Sequence, residues 1–162
     1  MKLIELKKQK INNFNMSKNR IRNLNVCIVG LGYVGLPLSI EISKKRKVIC
    51  YDKNINRIKN LKKGLDTNNE ITNKLLLKSK NIYFTSKVKD ISESNFYIVT
   101  VPTPITKNKI PDLKPLISAS KTIAKHVKKN DIIVYESTVF PGLTEELLSN
   151  VIEKVSKLKF NI

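Results

Sequence analysis

The 162-residue chain contains no tryptophan, a single histidine and only two cysteines. Without a CxxC spacing or a Cys/His cluster, a zinc site is not expected, and we predict no metal. Two cysteines cannot form a disulfide framework, so two reduced thiols in the cytoplasm are expected. The chain has no apolar run of the ~20 residues that cross a bilayer, and its N-terminus has no uninterrupted apolar signal segment. We therefore predict no membrane association.

Acidic residues and arginine are also scarce. There are 13 acidic against 31 basic residues, a net charge of +18, and only four of the basic residues are arginine. Recognition of base edges and bidentate contacts to phosphate favour arginine, whereas the lysines here are scattered along the chain. A solvated lysine-rich surface is favoured, and no specific nucleic-acid partner is predicted. A basic patch with salt-sensitive affinity for polyanions remains the alternative.

The chain divides into two parts. Residues 1–23 are polar, basic and rich in asparagine, which predicts an extension outside the core. Residues 24–162 alternate short apolar runs with amphipathic helical segments, as one α/β domain does. This order predicts a Rossmann-like doubly wound parallel sheet of about six strands with helices on both faces. The predicted strands cover residues 24–29, 47–52, 82–85, 95–101, 131–136 and, as a strand that has just begun, 159–162.

A glycine motif lies between the first predicted strand and the first helix. In such a motif Gly30 permits the tight turn, Gly32 lets a pyrophosphate approach the backbone, and Gly35 lets the helix pack against the strand. The N–H groups of Tyr33 and Val34, at the start of the helix, would point at the phosphates. The motif predicts dinucleotide binding.

Asp52 ends the second predicted strand, 22 residues after Gly30. At this position a carboxylate accepts hydrogen bonds from the adenosine ribose hydroxyls and repels a 2′-phosphate. The predicted cofactor is therefore NAD rather than NADP. The alternative is a glycine turn in an α/β protein that binds no nucleotide, with Asp52 only capping the next turn.

Two threonines follow later strands, where ligands bind in a doubly wound sheet. Thr103 follows the fourth strand and Thr138 the fifth, and both hydroxyls could donate to a ligand. The residues alone leave this open, because Ser and Thr equally often satisfy the backbone of turns.

At these segments the chain resembles the UDP-glucose/GDP-mannose dehydrogenase family. The resemblance is carried by VCIVGLGYVGLPLSIE at 26–41, YD at 51–52, FTS at 84–86, FYIVTVPTPITKNKIPDLKPLISAS at 96–120 and DIIVYESTVFPGLTEE at 131–146. It implies an enzyme that oxidises the C6 alcohol of a nucleotide sugar to a carboxylate with two NAD. Among its members the chain is most similar to those that act on UDP-N-acetylhexosamines in surface polysaccharide synthesis.

The resemblance also implies roles for individual residues. Tyr33, Val34, Asp52, Arg57, Thr103 and Thr138 would contact NAD. Thr138 would in addition support catalysis near the hydrolytic water. For Arg57, on the helix after Asp52, an exposed surface cation is the alternative.

Family members are more than twice as long as this chain. Their nucleophilic cysteine, dimerising helix and sugar-binding domain belong downstream, and Cys27 and Cys50 match positions in the fingerprint strands instead. We therefore expect residues 24–162 to be the NAD-binding domain of a longer protein, inactive alone, with the UDP-sugar substrate and homodimerisation belonging to the full-length enzyme. A stand-alone NAD-binding regulatory module without turnover is the alternative.

Overall fold

The computed structural model describes residues 24–105, 108, 110–139 and 141–160. The predicted extension, residues 1–23, lies outside the described residues. Within them, one sheet of five parallel strands forms the centre of the fold. The strands are β1 (Val26–Val29), β2 (Val48–Tyr51), β3 (Ile82–Thr85), β4 (Phe96–Val99) and β5 (Ile132–Tyr135).

Helices connect successive strands, as the alternating pattern predicts. The α-helices are α1 (Gly35–Ser43), α2 (Ile55–Lys62), α3 (Asn73–Lys78), α4 (Lys114–Ala124) and α5 (Ser149–Ser156). A 3₁₀ turn spans Val88–Ile91, and a π-helical segment, Leu143–Leu148, leads directly into α5. Asn54 caps α2 by accepting from the N–H groups of Asn56 and Arg57, and Thr72 caps α3. Both caps follow from the preference of short polar side chains for helix starts.

Alternate residues of each strand face opposite sides of the sheet, so the core has two layers. Val26 and Ile28 of β1 pack with α1, α2 and α3 on one face. Cys27 and Val29 pack with α4 and the π-helical segment on the other. The residues of β1, β2 and β4 are mostly buried, which explains the continuous apolar runs of these strands. Those of β3 and β5, the two outer strands in the sheet order, are only partly buried.

The strand order is β3-β2-β1-β4-β5. The chain moves outward from β1 to β3, crosses the sheet, and continues from β4 to β5. The reversal lies between β1 and β4, where both strands end at the same edge of the sheet. Open α/β sheets bind ligands in the crevice outside this switch point.

One expectation changes in detail. The sheet has five strands in the described residues rather than about six: Lys159 and Phe160 are not in a strand, and residues 161–162 lie outside the described residues. Their position after α5 is instead held by Glu153, whose carboxylate accepts from the Phe160 N–H at 2.9 Å and pairs with Lys159 at 3.0 Å. Among the described residues no helix is long and apolar enough to cross a membrane.

Candidate cofactor site

The turn after β1 is closed by two glycines that no other residue could replace easily. Gly30 has φ +101°, in the left-handed region. A Cβ on Gly35 would stand 1.9 Å from the Gly30 carbonyl oxygen and 2.4 Å from Thr100 Oγ1. Thr100 Oγ1 in turn donates to the Gly30 carbonyl at 2.7 Å. Gly35 therefore serves the close approach of α1 to β1 and β4.

Gly32 occupies the opposite kind of environment. A Cβ placed on Gly32 meets no described atom within 4 Å. Beside this open space, the backbone N–H groups of Tyr33 and Val34 donate to no acceptor within the described residues. Free N–H groups at a helix start carry partial positive charge and favour an anion. The loop thus leaves room and donors for a phosphate group.

The Asp52 carboxylate lies directly against the glycine loop. Its Oδ2 accepts from the Leu31 N–H at 2.8 Å, and its Oδ1 accepts from the Asn54 N–H at 2.8 Å. These bonds fix the orientation of the carboxylate at the end of β2. Each oxygen retains a further lone pair that can accept from a hydroxyl.

Arg57 is buried, which contradicts an exposed surface cation. It is 8% exposed, its Nε donates to the Leu31 carbonyl at 2.9 Å, and its Nη1 donates to Asp66 Oδ1 at 2.6 Å and to Thr67 Oγ1 at 3.2 Å. Its Nη2 is buried and has no hydrogen-bond partner among the described residues. An unpaired buried donor is costly, so a ligand acceptor at this place would remove a penalty.

Asp66 is the partner that sequence reasoning missed. It is 2% exposed, and besides Arg57 it accepts from the backbone N–H groups of Asn68, Glu70 and Ile71 at 2.8–3.0 Å. Burial would raise the pKa of this carboxyl, but the hydrogen bonds from Arg57 and the backbone outweigh it and lower the pKa. Nine residues separate Asp66 from Arg57 across a turn, a spacing that no helix or strand period reveals.

One cavity of about 390 Å³ lies at the ends of β1, β2 and β4. Its wall includes Gly30, Leu31, Gly32, Asp52, Lys53, Arg57, Asn68 and Pro102. A larger cavity of about 600 Å³ lies between β5 and α5. The smaller one is the candidate cofactor site, because it is lined by the open Gly32 and the oriented Asp52 carboxylate and lies next in the chain to the N–H groups of Tyr33 and Val34.

Thr103 and Thr138 lie beyond this cavity, after β4 and β5. The structure brings them together: Thr103 Oγ1 donates to the Thr138 carbonyl at 3.0 Å. Neither lines the 390 Å³ cavity, and Tyr33 and Val34, which are exposed at its rim, do not line it either. The predicted residues therefore form two groups along the same edge of the sheet, as the ends of an elongated ligand require.

Neither cysteine is available as a nucleophile. Cys27 and Cys50 are free and fully buried, in neighbouring strands but on opposite faces of the sheet. Burial raises the pKa of the Cys50 thiol to about 12 and that of Cys27 further. In the part of the chain that the structure describes, no three His, Cys, Asp or Glu side chains lie close enough to hold a metal ion.

Comparison with known proteins agrees with this geometry. Residues 24–162 match the NAD binding domain of the UDP-glucose/GDP-mannose dehydrogenase family. The chain is 49% identical over 141 residues to UDP-N-acetyl-D-glucosamine 6-dehydrogenase of Pseudomonas aeruginosa, covering 87% of this chain and 33% of that protein. It is 49% identical over 136 residues to protein CapL of Staphylococcus aureus, covering 84% of this chain and 32% of CapL.

A solved structure shares the fold. The UDP-D-ManNAc dehydrogenase of Pyrococcus horikoshii superposes with a TM-score of 0.78 at 30% identity, over 86% of this chain and 34% of that one. The chain thus spans about a third of the length of the relatives it matches.

Proposed function

Because the chain belongs to the UDP-glucose/GDP-mannose dehydrogenase family, as its NAD-binding domain, we propose that it binds NAD in the crevice between the ends of β1 and β4. The observation that carries this placement is the open space at Gly32 beside the N–H groups of Tyr33 and Val34, which have no acceptor in the described part of the chain. A side chain at position 32 would occupy this space, and no described atom fills it.

The residues present fit the two halves of the cofactor. The glycine loop, Gly30 to Gly35, holds the pyrophosphate, with backbone N–H groups as donors. Asp52 accepts from the ribose hydroxyls, and Arg57 Nη2 supplies the remaining donor at the adenosine end. Nη2 has no hydrogen-bond partner among the described residues, which supports this assignment.

Thr103 and Thr138 lie at the nicotinamide end of the cofactor. NAD, when bound, accepts a hydride from the alcohol carbon. The Thr103 hydroxyl already donates a hydrogen bond to the Thr138 carbonyl, and this bond fixes the two loops relative to each other. The Thr138 side chain is exposed at this edge. We propose that it contacts NAD and supports catalysis from there.

For the longer protein we propose a nucleotide-sugar 6-dehydrogenase. Its substrate would be a UDP-N-acetylhexosamine, whose C6 alcohol is oxidised to the uronate with two NAD in surface polysaccharide synthesis. Support comes from the 49% identity to the P. aeruginosa UDP-N-acetyl-D-glucosamine 6-dehydrogenase, well above the identity to the mannosamine dehydrogenases. We place this protein in the cytoplasm as a homodimer, with the UDP-sugar as its partner.

Calorimetric titration of this chain with NAD and NADP tests the binding site. We expect NAD to bind and NADP to bind more weakly. Equal affinities would show that Asp52 does not bind the ribose. NADH formation from UDP-N-acetylglucosamine and UDP-N-acetylgalactosamine, assayed for the 162 residues with and without a downstream fragment, tests the enzyme. Turnover that requires the added fragment supports the dehydrogenase. A chain that binds NAD but shows no turnover with that fragment supports a regulatory module instead.

A further inference from the structure

Leu31 connects two side chains of opposite charge. Its N–H donates to Asp52 Oδ2 at 2.8 Å, and its carbonyl accepts from Arg57 Nε at 2.9 Å. Both groups therefore border the same short stretch of the cavity wall. At this end of a dinucleotide site, a carboxylate favours the free ribose of NAD, whereas an arginine accommodates the 2′-phosphate of NADP. The chain carries both.

The guanidinium of Arg57 is already engaged. Its Nη1 lies 2.6 Å from Asp66 Oδ1, and both side chains are more than nine-tenths buried. An opposite charge at this distance, shielded from water, cancels much of the attraction that the cation would offer a phosphate. Only Nη2 is left without a partner among the described residues.

Asp66 cannot easily release Arg57. Three backbone N–H groups, of Asn68, Glu70 and Ile71, donate to the same carboxylate. They tie it to the turn after α2, and they do not depend on Arg57. The carboxylate is thus a fixed counter-ion built into the turn.

We propose that Asp66 adds to the cofactor specificity that Asp52 gives this site: by pairing with Arg57 it withholds the guanidinium from a 2′-phosphate and leaves Nη2 to donate to an uncharged group of NAD. Asp66 is a positioning residue that acts through Arg57 and does not touch the cofactor. The proposal rests on the proposed NAD site. Lys53, which lines the same cavity, is present in every variant below and does not affect the comparison.

The test is the ratio of the NADP and NAD dissociation constants, measured by calorimetry. We expect Asp66→Asn to lower this ratio about tenfold, the factor that one charge-assisted hydrogen bond of about 1.5 kcal/mol gives. Ile71→Ala is the matched control, because it loosens the packing of the same turn and leaves the Arg57–Asp66 pair intact. If the role of Asp66 is purely structural, Asp66→Asn will weaken the binding of NAD and NADP alike and leave the ratio unchanged.

The double variant Asp66→Asn with Arg57→Ala identifies the group responsible. It should restore the ratio of the unmodified chain, because no guanidinium is left to receive the phosphate. If Asp66→Asn does not fold by circular dichroism, Asp66→Ser replaces it, since the hydroxyl keeps an acceptor for the turn.

An unchanged ratio in the single variant, or a lowered ratio that persists in the double variant, overturns the proposal. Failure of the unmodified chain to bind NAD would instead refute the proposed function.

Discussion

Gly32 and Gly35 lie three residues apart in one loop, yet alanine at each should have opposite consequences. At Gly35 the new Cβ would meet the Gly30 carbonyl oxygen at 1.9 Å, a backbone atom that cannot turn aside. Overpacking of this kind costs about 3 kcal/mol, and the gain in helix propensity of less than about 1 kcal/mol does not offset it. At Gly32 the Cβ meets no described atom, so the fold should be unaffected.

Thermal unfolding followed by circular dichroism measures the first effect, and calorimetric titration with NAD the second. In a domain of this size each kcal/mol changes Tm by about 2–4 °C, so Gly35→Ala should lower Tm by roughly 6–12 °C. Gly32→Ala should leave Tm within about 2 °C and weaken NAD binding at least about tenfold, because its methyl group occupies the phosphate cradle. Equal losses of Tm in both variants, or unchanged NAD affinity in Gly32→Ala, would refute this reasoning.

Three further predictions concern buried or oriented side chains. Asp52→Ala should weaken NAD binding and narrow the difference between the NAD and NADP affinities in calorimetric titrations, since one carboxylate supplies both the hydrogen bonds and the repulsion. An unchanged difference would show that Asp52 does not contact the ribose. Because the pKa of Asp66 lies below its usual 3.8, its stabilisation is present above that value and lost as the pH falls through the lowered folded pKa. The Tm difference between the unmodified chain and Asp66→Asn should therefore be constant from about pH 5 to 7 and shrink below about pH 4; a difference growing in acid would contradict the lowered pKa. Cys27 and Cys50 should resist a thiol reagent at pH 8 in the native chain and both react in guanidinium; rapid labelling of the native chain would show that the strands open.

The sequence alone predicts the parts of the fold that depend on local pattern. Short apolar runs mark β1, β2 and β4, which are mostly buried, and β5, which is partly buried, and Asn54 marks the start of α2. The positions of Gly30 and Asp52 follow from the tight turn and the ribose, which impose a fixed spacing. These features need only residue type and separation along the chain.

The features that the sequence does not reveal depend on contacts across turns. The Arg57–Asp66 pair forms because the turn after α2 folds back under the glycine loop, and no periodicity encodes that return. The hydrogen bond between Thr103 and the Thr138 backbone likewise depends on how two loops meet. The π-helical segment at Leu143–Leu148 follows Gly142, which has a positive φ of 89°.

Titration of the ¹⁵N-labelled chain with NAD, followed by amide chemical shifts, tests directly whether NAD binds at the glycine loop, because it locates the cofactor on the fold. We expect saturable shifts that are largest at Leu31, Tyr33 and Val34 and extend to the amides after Asp52 and near Asn68. The walls of the larger cavity between β5 and α5 should change little. Saturable shifts concentrated at Val127–Ile133 and Ile152–Leu158, with the glycine loop unaffected, would place the cofactor in that other cavity and contradict the account.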